Sequence, residues 1–380
     1  MRRYWLLFAQ AVTICLALYM VIAAVRPDML RAPVRTVELG TGARPAALIQ
    51  APGLPPSGSY REAADRASPA VVNILTSKAL PANHPLLNDP FFRRFFGQRN
   101  PESETASLGS GVIVSPDGYI LTNYHVVEAA EQIEVVLPDG RKAAGKVVGT
   151  DPETDLAVLR VDLKDLPVMV LGHAEQAKVG DVVLAIGNPF GVGQTVTMGI
   201  ISAVGRTNLR INEFEDFIQT DAAINFGNSG GALVDTRGNL LGINSAIFSQ
   251  SGGSVGIGFA IPVSTAKTVL EAIIRTGYVE RGWVGIESQD ITPELAQSFG
   301  LPRENGAIIA GVVRNGPADR AGIKPGDILL AVNGQPIPDT TVMLNLIAKL
   351  PPGRKAKMTV LRSNRESTLD VSVGKRPRAR

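Results

Sequence analysis

The sequence predicts a mainly β protein: an antiparallel barrel or sandwich, then a second and smaller unit, both behind an N-terminal transmembrane helix. Three observations carry this. From Val71 to about residue 263 the chain is a series of short apolar runs closed by turn residues. Glycine is frequent, at 39 residues, and aromatics make up only 5%, which favours a turn-rich β chain over a helical bundle. From Tyr4 to Val25 no residue is charged and most are apolar.

The elements follow in chain order. The Tyr4–Val25 run stands between Arg2-Arg3 and Arg26. As a helix it would rise about 33 Å, enough to cross a bilayer core. A secretory signal usually has a shorter apolar run, of about 7 to 15 residues. Val21-Ile22-Ala23 would make a poor cleavage site, so residues 1–25 read as a cytoplasmic tip and uncleaved anchor. Similar Arg and Lys counts at its two ends leave the orientation open. Residues 26–60 hold Pro27, Pro33, Pro45, Pro52, Pro55 and Pro56 and read as a linker.

Residues 61–276 form the first globular unit. Its strands are expected at Val71–Leu75, Gly111–Val114, Ile133–Leu137, Leu156–Leu159 and Val182–Ile186, with turns at Pro116-Asp117-Gly118, Pro138-Asp139-Gly140 and Gly187-Asn188-Pro189. Ser264–Thr276 reads as a helix, with Val269, Ile273 and Ile274 at helical spacing and Gly277 to end it. Leu80–Glu104 interrupts the strand rhythm with Phe91, Phe92, Phe95 and Phe96, which either fill local core or touch another subunit. Residues 281–374 carry a strand and turn pattern of their own. Residues 375–380 are basic and read as a solvated tail.

Composition excludes several functions. Net charge is only +3 and the basic residues are scattered, so no nucleic-acid partner is expected. The single Cys15 forbids an intrachain disulfide. The three histidines, His84, His125 and His173, lie in no metal-ligand spacing, so no metal and no cofactor are expected. Gly252–Gly258 lacks the βαβ context of a dinucleotide loop.

The chemistry centres on Gly227-Asn228-Ser229-Gly230-Gly231. Read alone, it is either a hairpin turn that contains a serine or a nucleophile on a tight turn whose N–H groups converge on an oxyanion. A serine nucleophile needs a base, and the base an orienting acid. His125 lies at the end of the run Tyr119-Ile120-Leu121-Thr122-Asn123, where a sheet could hold it. His84 precedes a proline and His173 lies in a turn. Asp155 is followed at once by the apolar Leu156–Leu159, whereas Asp151 reads as a turn residue. The order His125, Asp155, Ser229 is that of chymotrypsin. The expected roles are nucleophile for Ser229, base for His125 and orienting acid for Asp155. Gly227, Ser229 and Asn228 would bind the oxyanion.

Thr122-Asn123-Tyr124-His125-Val126, Thr154-Asp155-Leu156-Ala157-Val158-Leu159 and Gly227–Val234 resemble the HtrA (DegP/DegS/DegQ) serine proteases, from about residue 60 to about 374. The anchor and single second unit resemble the membrane-anchored DegS/AlgW stress sensors. The resemblance implies a chymotrypsin-like double β-barrel serine protease domain followed by an α+β PDZ domain. It also implies a homotrimer on the periplasmic side of the inner membrane. The partners would be C-terminal peptides of misfolded outer-membrane proteins, and the substrate a transmembrane anti-sigma factor. The competing expectations are a DegQ-type quality-control protease and a PDZ scaffold with a dormant triad.

Three further readings bear on control and specificity. Asn228 cannot pair with a new N-terminus as the Asp of pancreatic-type proteases does, so activation should come by ordering of loops such as Arg206–Glu215. Arg206 belongs, by resemblance, to the loop that senses the activator; otherwise it is a surface arginine. Ala223, six residues before Ser229, argues against cleavage after Lys or Arg and for a small apolar P1 such as Val or Ala. Ser245 lies in the expected pocket wall Gly242–Ile247, and Phe226 is placed to tune a subsite. In the second unit, Asn305–Gly334 looks like a PDZ domain, with Trp283, Val284, Gly285 and Ile286 matching the carboxylate-binding loop. Leu344 and Ile347 either line its groove or pack in its core.

Overall fold

The computed structural model describes residues 58–78, 105–128, 130–188, 193–209, 211–247, 254–298 and 305–377, together with Gln10 and Met20. Met1–Pro56 forms one unit and Ser57–Arg380 another. Of the first, only Gln10 and Met20 are described, both helical and exposed. Apart from Gln10, Met20 and residues 58–60, the expected membrane span and linker lie outside the described residues, as does the Phe91–Phe96 stretch. Among the described residues no helix is long and apolar enough to cross a membrane.

The second unit opens with helix α1 (Arg61–Ala67), which buries Ala63 and Ala67. A seven-stranded antiparallel sheet follows. Its strands are β1 (Val71–Lys78), β2 (Thr105–Ile113), β3 (Tyr119–Asn123), β4 (Gln132–Val136), β5 (Lys142–Ala144), β6 (Lys146–Asp151) and β7 (Leu156–Arg160). Their order is β5-β4-β1-β2-β3-β7-β6. Side chains alternate across the pleat. Val72 and Ile74 thus bury with Ile113, Ile120 and Leu159, while Val71 faces the other way into a second core. A short helix, α2 (Tyr124–Val127), continues directly from β3.

The next six strands close into a barrel in the order β10-β13-β12-β11-β8-β9. They are β8 (Val182–Gly187), β9 (Thr195–Arg206), β10 (Phe217–Thr220), β11 (Ala232–Val234), β12 (Leu240–Ile247) and β13 (Gly258–Pro262). Val183, Ala185 and Leu233 fill one core, whereas Leu184 and Ile186, on the opposite face of β8, join Val71, Val112 and Leu121 of the first sheet. The two halves are therefore welded through one shared core. Among the described residues no ladder joins the edges of the first sheet; its edges β5 and β6 are linked through the chain, since only Gly145 separates them.

Helix α3 (Val263–Thr276) buries Val263, Ala266, Val269, Leu270 and Ile273. It ends where expected, at Gly277, whose φ of 82° suits a residue without Cβ. Ile274, expected on the buried stripe, is exposed.

The module beyond Arg281 has its own core of Val284, Ile309, Leu329, Met343, Ile347 and Val360. Its main sheet runs β15 (Ile286–Asp290), β16 (Ala307–Val312), β17 (Ile328–Val332), β19 (Lys355–Arg362), β20 (Arg365–Ser372), with β18 (Gln335–Pro336) beside β17. Helices α4 (Pro293–Ser298), α5 (Pro317–Arg320) and α6 (Thr340–Ala348) complete it. The Asp339 side chain caps α6 by accepting from the Val342 N–H at 2.8 Å. Strands β14 (Gly282–Trp283) and β21 (Gly374–Lys375) pair, bringing the two ends of the module together.

Of the expected solvated basic tail, Lys375 and Arg376 are instead tied down, while 378–380 lie outside the described residues. Lys375 lies in β21 and its ammonium reaches Tyr278 and Glu280. Arg376 donates to Glu153 at 2.5 Å and to Glu213 at 2.6 Å, over the Phe214 ring. The physical cause is the acidic turn at residues 151–153, which faces the junction of β14 and β21.

Candidate active site

His125 sits on α2, immediately after β3, and keeps about half of its side chain exposed. Its Nδ1 lies 2.8 Å from Asp155 Oδ2, and its backbone N–H donates to Oδ1 at 3.0 Å. With Nδ1–H donating to the carboxylate, Nε2 of the neutral ring is left as a base.

Asp155 follows a single 3-10 turn, Pro152–Thr154, and adopts a left-handed conformation with φ of 57°. Asp tolerates that region better than most residues, but it is held there rather than resting there. Its carbonyl accepts from the Tyr124 N–H at 3.1 Å and the Asn123 amide at 3.0 Å. Its Oδ2 also accepts from Ser245 Oγ at 3.1 Å. His125 and Ser245 thus fix the carboxylate, while Asn123 and Tyr124 fix the backbone carbonyl of the same residue.

Ser229 lies on the turn that the glycines require. Gly227 and Gly230 have φ of 93° and 82°. A Cβ on Gly230 would come within 2.1 Å of the Ser110 carbonyl, so no other residue fits. Ser110, from the first sheet, fastens this turn of the second half. Its Oγ donates to Gly227 O at 2.6 Å and its N–H to Ser229 O at 2.8 Å. Ser229 Oγ donates to the Ser245 carbonyl at 3.2 Å. Ser245 therefore touches both Asp155 and Ser229.

The oxyanion donors divide. Among the described hydrogen bonds, the N–H groups of Gly227 and Ser229 are spent on no protein acceptor. Asn228, expected beside them, is corrected: its N–H donates to Asn225 O at 3.0 Å and its amide approaches Ala223 O at 3.4 Å. It is buried and braces the turn. Ala223 O also accepts from Thr197 Oγ1 at 2.8 Å, so a neutral backbone, not an acid, lies where a trypsin-like pocket would hold its charge.

The loop at residues 206–216 touches both the turn before Asp155 and the second module. Arg206 Nε donates to Gln219 Oε1 at 2.9 Å. The Glu215 carboxylate accepts from the N–H groups of Leu209, Ile211 and Asn212. Phe214 N–H donates to Glu153 O, and the Asn212 amide to Thr154 O, one residue before Asp155. From the other side, α6 touches the loop through Thr341 to Asn208 and through Asn345 to the Glu215 carbonyl. Arg281 pairs with Asp151 at 2.5 Å in a buried contact and with Glu153 at 3.0 Å in a partly buried one. A cavity lined by Phe214, Phe217, Val269, Leu350 and Lys349 lies in this seam. Burial there pushes the Asp216 carboxyl above its usual range, against the pull of Lys349.

In the second module β15 is, among the described residues, an edge strand with β16 on one side only. Ile286 begins it; Gly285, with φ of 75°, makes the turn before it; Trp283 is half-buried in β14. Val284 is core, and its carbonyl accepts from the Ala318 N–H. Leu344 is half-buried on α6. Ile347, for which groove and core were both open, is 5% exposed and packs in the core. Among the described residues no cluster of His, Cys, Asp or Glu is arranged for a metal.

Two residues of the site escaped the sequence reading. Ser245 was visible only as part of a wall, because its partner Asp155 lies 90 positions away. Ser110 gave no signal, since its partners belong to the other half of the fold.

Comparison with known proteins agrees with this architecture. A family model for a trypsin-like peptidase domain matches residues 109–243, and one for a PDZ domain matches residues 282–373. A probable periplasmic serine endoprotease, DegP-like, of Pseudomonas putida is 46% identical over 331 residues, covering 82% of this chain and 69% of the relative. One of the same description from Chlamydia pneumoniae is 43% identical over 340 residues, or 85% and 70% of the two chains. The structure of the HtrA-type protease AlgW with a decapeptide superposes with a TM-score of 0.73 at 55% identity, covering 84% of this chain and all of that one. The serine endoprotease of Yersinia pestis gives a TM-score of 0.64 at 40% identity, covering 86% of this chain and 100% of that one.

Fold and site together define a trypsin-like serine endopeptidase joined to a PDZ domain. Identity at this level over most of both chains places it further: the chain belongs to the HtrA family.

Proposed function

We propose that the protein is a membrane-anchored periplasmic endopeptidase whose PDZ domain reads the C-termini of misfolded envelope proteins. Ser229 Oγ attacks the peptide carbonyl. His125 Nε2 takes its proton and later returns it to the leaving amine. Asp155 holds the ring in the required tautomer, and the N–H groups of Gly227 and Ser229 receive the oxyanion. Ala223 and Thr197 suit a small apolar P1 such as Val or Ala. The observation that carries the chemistry is the Asp155 carboxylate, which binds His125 twice and Ser245 once.

The regulatory part rests on two supports. β15 has a free edge to which an extended peptide can add, and AlgW has been seen with bound peptides. A peptide between β15 and α6 would press on the helix that touches Asn208 and Glu215. The loop at 206–216, with Arg206 at its start, then passes the change to the catalytic turn. The periplasmic setting follows the description of the Pseudomonas relative, and the anchor is the Tyr4–Val25 run. The family resemblance supplies the homotrimer and the transmembrane anti-sigma factor as substrate.

The test compares two substrates, an unfolded protein and a membrane-spanning anti-sigma factor, each with and without a C-terminal peptide. Selective, peptide-dependent cutting of the anti-sigma factor is expected. Peptide-independent digestion of the unfolded protein would make it a general quality-control protease of DegQ type instead.

A further inference from the structure

Ser110 holds the catalytic turn with its side chain as well as its backbone. The backbone N–H, by donating to Ser229 O at 2.8 Å, already ties the first sheet to the turn. The side chain adds two further bonds. Oγ donates to Gly227 O at 2.6 Å and accepts from the Asn188 N–H at 2.8 Å. A hydroxyl has one proton to give and two lone pairs. An N–H can only donate and a carbonyl can only accept, so the Ser110 proton is directed at Gly227. Ser110 is fully buried, so no solvent competes for it.

These bonds act on peptide planes. The 227–228 peptide is held at both edges, its carbonyl by Ser110 Oγ and its N–H by Asn225 O at 3.0 Å. The 228–229 peptide carries the Ser229 N–H and is held at its carbonyl by the Gly231 N–H at 2.8 Å. The 229–230 peptide is again held at both edges, by the Ser110 N–H and by Asn244 O at 2.8 Å. Gly227, with φ of 93°, stands at the start of this run. A glycine rotates about its backbone bonds with little steric resistance. Its N–H therefore keeps its direction only while the next peptide plane is fixed. Of the two bonds that fix that plane, the one to Asn225 is local and moves with the turn. The one to Ser110 comes from the other half of the fold.

We infer that Ser110 is a positioning residue for catalysis: its hydroxyl, oriented by the Asn188 N–H, locks the Gly227 carbonyl and with it the N–H groups that receive the oxyanion. This rests on the proposed oxyanion role of Gly227 and Ser229. Fully buried behind the turn, the hydroxyl touches no substrate, so ground-state binding should not depend on it. Losing an oxyanion donor outright costs about 10²–10³ in kcat, and a donor that is present but unlocked should cost about tenfold or more.

The test compares wild type with Ser110→Ala, which removes the hydroxyl and keeps the backbone bond to Ser229 O. The substrate is an amidated reporter peptide and the inhibitor is the matching peptide aldehyde. Neither carries the carboxylate that the PDZ domain would read. Ser229 Oγ adds to the aldehyde carbon, its proton passes to His125, and the former carbonyl oxygen becomes the oxyanion. Ser110→Ala should lower kcat about tenfold or more with KM nearly unchanged, and raise the aldehyde Ki by a similar factor. A merely structural role would reduce the number of active sites, which scales the rate but leaves Ki alone. If Ser110→Ala does not fold, Ser110→Cys, of similar shape and weaker as a donor, takes its place. An unchanged Ki, or a loss confined to KM, would overturn the inference. A wild type that neither cuts the peptide nor binds the aldehyde would instead sink the protease reading itself.

Discussion

Asp155 shows how much of this site is constraint. A non-glycine residue with positive φ is costly, and such strain persists only where the surroundings over-determine it. Here Tyr124 and Asn123 hold the carbonyl while His125 and Ser245 hold the carboxylate. Removing one hydrogen bond to a charged group costs about 1.5–3 kcal/mol. Ser245→Ala should therefore lower kcat about tenfold with KM nearly unchanged, read by steady-state kinetics on a short peptide. The Ser245 carbonyl, which holds Ser229, survives this substitution. A drop in affinity alone would mean that Ser245 is only a pocket wall.

At the level of elements, the turn at 227–231 and the turn at 151–155 are each gripped by a distant part of the chain. Ser110 grips the first; Arg281 and Arg376, from the two ends of the PDZ domain, grip the second. Arg281 and Asp151 are both nearly dry. Removing one partner of such a pair leaves a buried charge, at a cost of about 3–5 kcal/mol. Arg281→Ala should accordingly lose stability of that order in chemical denaturation, while an exposed pair such as Lys142–Glu134 should contribute under 1 kcal/mol. These grips also mark the limit of reading from sequence. Strand runs, the α3 helix and its Gly277 stop are local signals, and they were legible. His125, Asp155 and Ser229 were legible because each sits at the end of a local pattern. Ser110, Ser245 and Arg376 act across more than 80 residues, so no local pattern marks them. Asn228 differs for a related reason: its type suits a donor, but its N–H is already committed to the Asn225 carbonyl.

For the whole molecule, the proposed sensing edge and cutting site lie in different domains, and α6, the loop at 206–216 and the turn before Asp155 are hydrogen-bonded in series between them. A ligand on β15 can change catalysis only if it binds the active arrangement better than the resting one. Coupling free energies between sites usually correspond to changes of about 5- to 150-fold. The direct measurement is the cleavage rate of an amidated reporter peptide before and after adding a second peptide with a free C-terminal carboxylate. The account predicts a rise of about tenfold or more, none with the amidated form of that second peptide, and no cleavage at all in Ser229→Ala. A rate indifferent to the free carboxylate, or one that survives the loss of Ser229, would contradict it.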